Sequence, residues 1–209
     1  MNKGRLEAFT DGVIAIIITI MVLELTVPQG ADWADLHPVL PMLAAYLLSF
    51  VNVGIFWNNH HHMLHAVQRV SGAALWANLA LLFAISLVPF VIRWVDQVGL
   101  TAALPTAAYG VVLFGAALGY MLLERALMSA NGCEHSQLAS AVGSDYKTIF
   151  SLIAYACAIP LAFVSVWLSD ALYVAVALAW FVPDQRIESA VQDDRSLKFA
   201  RKDARRKNP

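Results

Sequence analysis

Long apolar runs separated by short polar stretches dominate the chain and determine its predicted architecture. In the first run, residues 6–27, no charged side chain lies between Asp11 and Glu24. Four further runs are each long enough for a helix to cross a hydrocarbon core of about 30 Å. They cover residues 39–60, 71–94, 100–123 and 148–168. A last run, residues 171–182, is shorter and would cross only if its helix tilts or the bilayer thins locally.

Composition and the distribution of basic residues indicate how these helices sit in a membrane. Of 209 residues, 59% are hydrophobic and 14% are charged, whereas a soluble domain has about a quarter of its residues charged. With six crossings and a cytoplasmic N-terminus, thirteen of the fourteen basic residues lie on the cytoplasmic side, and only Arg93 lies outside. This distribution agrees with the positive-inside rule. We therefore predict an all-α polytopic protein of the cytoplasmic membrane with six transmembrane helices per subunit and cytoplasmic N- and C-termini. Residues 1–184 would form one six-helix unit and residues 185–209 a basic cytoplasmic tail.

The predicted topology brings polar side chains of three helices to the same depth near the cytoplasmic surface. Arg5 and Asp11 enter with the first helix, the second arrives with Trp57 and His60, and the third departs with Asn78. Arg5 and Asp11 lie about 240° apart around a helix, so they do not share one face. Polar groups inside a membrane mostly pair with one another. The pattern therefore favours a buried polar network that holds the first three helices together, with direct contact to ions as the alternative.

Three histidines, His61, His62 and His65, form an HHxxH pattern that is similar to one box of membrane di-iron enzymes. Such a centre needs more ligands than the six histidines of this chain can supply on one side of the membrane. We therefore expect no enzyme, no catalytic residue and no assigned metal ligand. A single divalent site, a pH-sensitive role and a purely structural role stay open for these imidazoles.

Two segments carry a resemblance to a known family. Residues 5–11 read RLEAFTD and resemble the RxxxFSD motif that opens the first helix of the transmembrane protein 175 family, potassium channels of bacteria and lysosomes; Thr10 replaces the usual Ser. Residues 54–63 read GIFWNNHHHM and resemble its FWxxHH pattern, and residues 85–90 are weakly similar. The resemblance implies that this motif braces the pore helix from behind. The predicted structural network comprises Arg5, Phe9, Thr10, Asp11, Trp57, His60, His61 and Asn78.

Ile16, Ile20 and Leu23 lie at i, i+4 and i+7 and form one narrow apolar stripe on the first helix. By spacing alone such a stripe is typical of a packing face. The resemblance implies instead that these positions face a central axis and form a hydrophobic constriction, with Thr19 in a hydroxyl layer linked to selectivity. The chain contains no TVGYG segment, hence no sign of a carbonyl-type filter.

These observations predict a potassium-permeable channel whose first helix lines the pore, with K⁺ as permeant ion and no cofactor. One helix cannot close a ring, so a homo-oligomer is expected, and the resemblance implies a tetramer. The lipid bilayer is the other expected partner, and no nucleic acid is expected. The first alternative is a secondary transporter or proton-coupled carrier that uses Asp11 and the histidines of residues 60–65. The second is a non-transporting structural or lipid-binding protein.

Overall fold

The structure, a computed structural model, describes residues 3–131 and 145–181, and within them all regular secondary structure is α-helical. The all-α prediction is thus confirmed for this part of the chain. The predicted tail, residues 185–209, lies outside the described residues. The helices in chain order are α1 (Lys3–Leu23), α2 (Trp33–Leu36), α3 (Leu40–Ala66), α4 (Gly72–Ser86), α5 (Val88–Val98), α6 (Ala103–Asn131), α7 (Asp145–Leu161) and α8 (Val166–Phe181).

Among residues 3–131 and 145–181, four helical segments are long and apolar enough to cross a membrane: α1, α3, α4 together with α5, and α6. Helix α1, with 21 residues, spans about 31 Å, close to the thickness of a hydrocarbon core. Helices α7 and α8 are shorter, with 17 and 16 residues, or about 24–26 Å. The chain is therefore an apolar, helical membrane protein, and six crossings stay a prediction.

The first four predicted helices are present with shifted ends. Helix α1 ends at Leu23, before the predicted residue 27, because the N–H groups of Glu24 and Leu25 bond to carbonyls three residues back and tighten the last turn. Helix α3 continues six residues past the predicted end, and α6 eight residues past it. The third predicted helix is interrupted at Leu87, two residues before Pro89, whose missing N–H prevents a regular bond at this point.

The predicted bounds of the last two helices were wrong. We expected helices at residues 148–168 and 171–182, with Ser169 and Asp170 between them, but both residues lie inside α8. The Ser169 hydroxyl is buried and donates to the carbonyl of Ala158 in α7 at 2.9 Å, so it stabilises helix packing. The true turn, residues 162–165, contains the exposed apolar side chains Phe163 and Val164. An apolar turn gives no polarity signal, which explains the error.

Helix α6 forms the centre of the packing and contacts α4, α5, α7 and α8. Gly119 in α6 permits a close approach of the α6 and α4 backbones, because a Cβ at this position would lie 2.8 Å from the backbone of Leu81 in α4. Helix α1 packs on α3, α4 and α5. It therefore lies at the edge of the subunit, with one face against the protein and the other open.

Candidate functional site: the first helix and its polar supports

The two faces of α1 differ sharply in burial. Its inner face consists of Leu6, Thr10, Ile14, Ile17 and Met21, all buried against the rest of the subunit. The opposite face is open: Ile16 is 59% exposed, Ile20 41% and Leu23 80%. All three residues of the predicted constriction therefore lie on the face that no part of the described subunit covers.

Small and polar residues interrupt this open face, unlike a surface built only for lipid. Gly12 has nothing within 4 Å of the position of a Cβ, and Thr19 is exposed between Ile16 and Ile20. The Thr19 hydroxyl donates to the carbonyl of Ile16 at 2.8 Å. Because this bond uses the hydroxyl hydrogen, the oxygen lone pairs remain available to an outside cation.

A buried relay of polar side chains ties α1 to α3 and α4. The Asn78 amide on α4 donates to the Thr10 hydroxyl on α1 at 2.9 Å, and its oxygen lies 2.9 Å from Nε2 of His60 on α3. Thr10, Asn78 and His60 are each at most 1% exposed. Within the described residues, Nδ1 of His60 has no hydrogen-bond partner. The link to Asn78 is thus the side-chain hydrogen bond that orients this ring.

A second set of contacts joins α1 to α3 beside this relay and one turn nearer the start of α1. The Trp57 indole donates to Asp11 Oδ1 at 2.9 Å. One turn earlier on α1, Glu7 Oε1 lies 3.2 Å from Nδ1 of His61 and 3.4 Å from Nε2 of His65. Glu7 and Asp11 are thus stacked at i, i+4 against their partners on α3, which are also spaced by four residues.

Of the predicted network, the structure joins six residues and leaves two apart. Thr10, Asn78 and His60 form the relay, Asp11 bonds Trp57, and His61 contacts Glu7. Arg5 and Phe9 are exposed on the open face of α1, and neither side chain makes a hydrogen bond or ion pair within the described residues. Phe9 and Arg5 therefore belong to the same surface as Ile16 and Thr19, not to the inner network.

Polar contacts fix both ends of α1. At the start, the Lys3 ammonium donates to the carbonyls of His65 and Val67 at 3.4 and 3.2 Å, where it caps the end of α3. At the other end, Glu24 pairs with Arg93 at 3.3 Å. The Thr26 hydroxyl, just beyond the helix, donates to Asp96. The central part of α1 is held mainly by apolar contacts.

Sequence analysis did not predict two polar groupings. Glu7 contacts both His61 and His65. The i, i+4 spacing of these two histidines could have indicated that they share one partner, whereas the HHxxH pattern also included His62. Farther along α3, Ser49 and Asn52 both donate to the Tyr109 hydroxyl, at 3.0 and 3.3 Å. Ser49 and Tyr109 also line a cavity of about 330 Å³ between α3, α5, α6 and α8. Nothing in the sequence linked Tyr109 to α3.

Comparison with known proteins agrees with this arrangement. Residues 5–89, which include most of α1 and all of α3 and α4, match the family model described as "Endosomal/lysosomal potassium channel TMEM175". A protein of Chryseobacterium sp. (strain P1-3) named as a potassium channel is 47% identical over 93% of this chain and 100% of its own length. The human protein named "Endosomal/lysosomal proton channel TMEM175" is 34% identical over 40% of this chain and 19% of its own.

The fold has a counterpart of known structure. The crystal structure of a lysosomal potassium-selective channel TMEM175 homolog from Chamaesiphon minutus superimposes with a TM-score of 0.71 at 28% identity, covering 86% of this chain and 96% of that one. Sequence similarity over the full length of a relative and similarity of fold thus agree with the motifs on α1 and α3. The chain belongs to the TMEM175 family.

Proposed function

We propose that this protein is a potassium-permeable channel in which α1 of each subunit lines the pore. The observation that carries the proposal is the division of α1 into a buried inner face and an open face with Ile16, Thr19, Ile20 and Leu23. The relative from Chryseobacterium is named as a potassium channel, and the Chamaesiphon relative is titled a potassium-selective one.

The aliphatic side chains of the open face would form the closed gate. Rings of Ile16, Ile20 and Leu23 around a common axis would exclude water, because a constriction narrower than a hydrated ion and lined by hydrocarbon dewets. A cation then meets a large desolvation barrier until the rings widen or rotate. No nucleotide or covalent chemistry is needed for such a gate.

Preference for potassium would rest on the hydroxyl of Thr19. The donor of this hydroxyl is already bonded to the carbonyl of Ile16, which leaves oxygen lone pairs for a partly dehydrated cation. Without a carbonyl-type filter, a few hydroxyl oxygens and the width of the pore must supply the selectivity. We therefore propose moderate rather than strict discrimination between K⁺ and Na⁺.

A pore of this kind requires several copies of the chain. One α1 cannot enclose an axis, and identical subunits around a closed ring supply identical helices. We propose a homotetramer in the cytoplasmic membrane of a bacterium, the subunit number that the resemblance to the family implies. Such an assembly would also cover Phe9 and Gly12, which the single subunit leaves open.

Planar-bilayer recordings of three purified variants test the channel and its lining together. Wild type should pass K⁺ in preference to Na⁺ in mixed gradients without ATP. Ile16→Asn should raise conductance or open probability, because polar amide side chains from each subunit would replace the aliphatic side chains that exclude water from the constriction. Leu47→Asn is the matched control, since Leu47 on α3 is also 59% exposed but lies on another helix. Ile18→Asn, on the half-buried side of α1, is a second control.

The recordings separate the alternatives. A leak in Leu47→Asn or Ile18→Asn but not in Ile16→Asn would mean that a different surface lines the pore. Slow flux that requires a coupled ion gradient would indicate a carrier, and the absence of flux from correctly assembled protein would contradict the channel. Equal K⁺ and Na⁺ permeability would refute the selectivity.

Proton permeation is a second candidate, because a relative from human is named a proton channel. Two liposome assays with an enclosed pH-sensitive dye distinguish them: a pH gradient with the same K⁺ salt on both sides and valinomycin to carry the compensating charge reports proton flux, and an outward K⁺ gradient with a protonophore reports K⁺ flux. A response in the first assay alone would favour protons, and a response in the second alone would favour the channel proposed here.

A further inference from the structure

Glu7, His61 and His65 place three metal-ligating atoms close together at the start of α1 and the end of α3. Glu7 Oε1 is 3.2 Å from His61 Nδ1 and 3.4 Å from His65 Nε2. All three atoms lie within 4.8 Å of one another. Each residue offers one donor, and the two histidines are one helical turn apart, so their rings turn towards the same carboxylate.

These separations are those of ligands around one small cation. Tetrahedral Zn²⁺ has bonds of about 2.0–2.2 Å to imidazole nitrogen and carboxylate oxygen, which places neighbouring ligand atoms about 3.3–3.6 Å apart. The 3.2 and 3.4 Å from Glu7 Oε1 to the two imidazole nitrogens are therefore close to this spacing, and the pair of nitrogens lies within 4.8 Å.

The donor types narrow the class of metal. Two imidazoles and one carboxylate suit Zn²⁺ and related transition-metal ions, whereas Mg²⁺ and Ca²⁺ prefer an all-oxygen shell. Three protein ligands leave one position for water. The cluster is also reachable, because the side chains of His65, His61 and Glu7 are 59%, 39% and 21% exposed.

We propose that Glu7, His61 and His65 bind a Zn²⁺-class ion that bridges α1 and α3. The ion would lie beside the Trp57–Asp11 bond, since the Trp57 and His61 rings stack with centroids 6.0 Å apart. With Lys3 already bonded to the carbonyls at the end of α3, metal binding clamps the start of α1 to α3. The site does not depend on the proposed channel activity, because it is complete within one subunit.

The test is zinc binding to protein that carries no polyhistidine tag, in detergent. Isothermal titration of wild type with Zn²⁺ should show saturable binding at one site per subunit, and Mg²⁺ should show none. Titration with Co²⁺ should give the strong visible absorption of a tetrahedral complex. Zn²⁺ should also raise the melting temperature, because an ion that binds the folded state stabilises it.

Three variants locate the ligands. Glu7→Gln and His65→Ala should each weaken Zn²⁺ binding by about tenfold or more, because even outer-shell partners of a metal site contribute about 10–100-fold. His62→Ala is the control: His62 adjoins His61 but does not belong to the cluster, so its loss should leave the affinity unchanged. Each variant must elute as the wild-type oligomer; His65, being exposed, is the variant least expected to disturb folding.

The proposal is overturned by absence of saturable Zn²⁺ binding in wild type, or by equal affinity in all four proteins. Loss of affinity in His62→Ala alone would also overturn it, because the ligands would then lie elsewhere. Either of the first two results would mean that Glu7 contacts the imidazoles only as a polar or ionic partner. None of these measurements requires ion flux, so failure of the proposed channel function would leave them interpretable.

Discussion

Replacement of Asn78 by leucine tests whether the buried relay holds α1 in place. The change removes both links at once: Thr10 loses its donor and His60 loses Asn78 Oδ1. Each broken link leaves a polar group in a site that is at most 1% exposed. A lost side-chain hydrogen bond in a membrane protein costs about 0.6 kcal/mol on average and up to about 1.7. Two links therefore predict a loss of about 1–3 kcal/mol, a substantial part of a total stability of about 5–15 kcal/mol.

The assay is reversible unfolding in mixed micelles, with Asn58→Leu as the matched control. Asn58 is exposed on α3, and its side chain makes no hydrogen bond within the described residues, so the same substitution should change stability by no more than about 0.5 kcal/mol. Thr10→Val should cost about half as much as Asn78→Leu, and the double variant should cost less than the sum, because both changes remove one shared bond. Equal stability of Asn78→Leu and Asn58→Leu would refute the relay as a support of α1, and strict additivity in the double variant would refute the Thr10–Asn78 coupling.

Two further predictions concern the pore face and the core. Thr19→Val keeps the shape of the side chain and removes its oxygen, so the ratio of K⁺ to Na⁺ permeability should fall towards one while conduction persists; an unchanged reversal potential would exclude Thr19 from selectivity. Gly119→Ala should lower stability by about 1–3 kcal/mol through overpacking, because its Cβ would lie 2.8 Å from the Leu81 backbone, whereas Gly115→Ala makes an ordinary 3.5 Å contact with Ala84 and should be tolerated. Equal melting temperatures of the two glycine variants would contradict the close approach of α4 and α6.

Periodicity and charge predicted the first four helices because those helices are long and polar residues mark their ends. The same signals failed for α7 and α8. There the turn is apolar and the polar pair, Ser169 and Asp170, lies within a helix, where Ser169 bonds a carbonyl of the neighbouring helix. In a protein that packs in lipid, a hydroxyl can stabilise a helix pair as readily as end a helix, so polarity alone does not locate a short turn.

The sequence predicted which residues form the candidate site better than it predicted which of them bond to each other. Motif and topology brought Asp11, Trp57, His60 and Asn78 to one depth, and the structure joins them through specific bonds. Which partner each one takes depends on the rotation of α1, α3 and α4 about their own axes. That rotation is determined by packing contacts distant in sequence. For the same reason Arg5, grouped with the network by its motif, lies on the open face instead.

Helix α1 combines an open face with a closely supported inner face, and this division has a consequence for how mutations act. The open face contributes few contacts within the subunit, so it cannot determine the position of the helix. That position depends on Thr10 and Asp11 near the start of α1, on Ile14 and Ile17 in its centre, and on Glu24 at its end. In the proposed channel, substitutions on the inner face therefore change the pore by moving α1, and they should alter stability and conductance together. Substitutions at Ile16 or Thr19 change the pore directly and should leave the stability of the single subunit nearly unchanged.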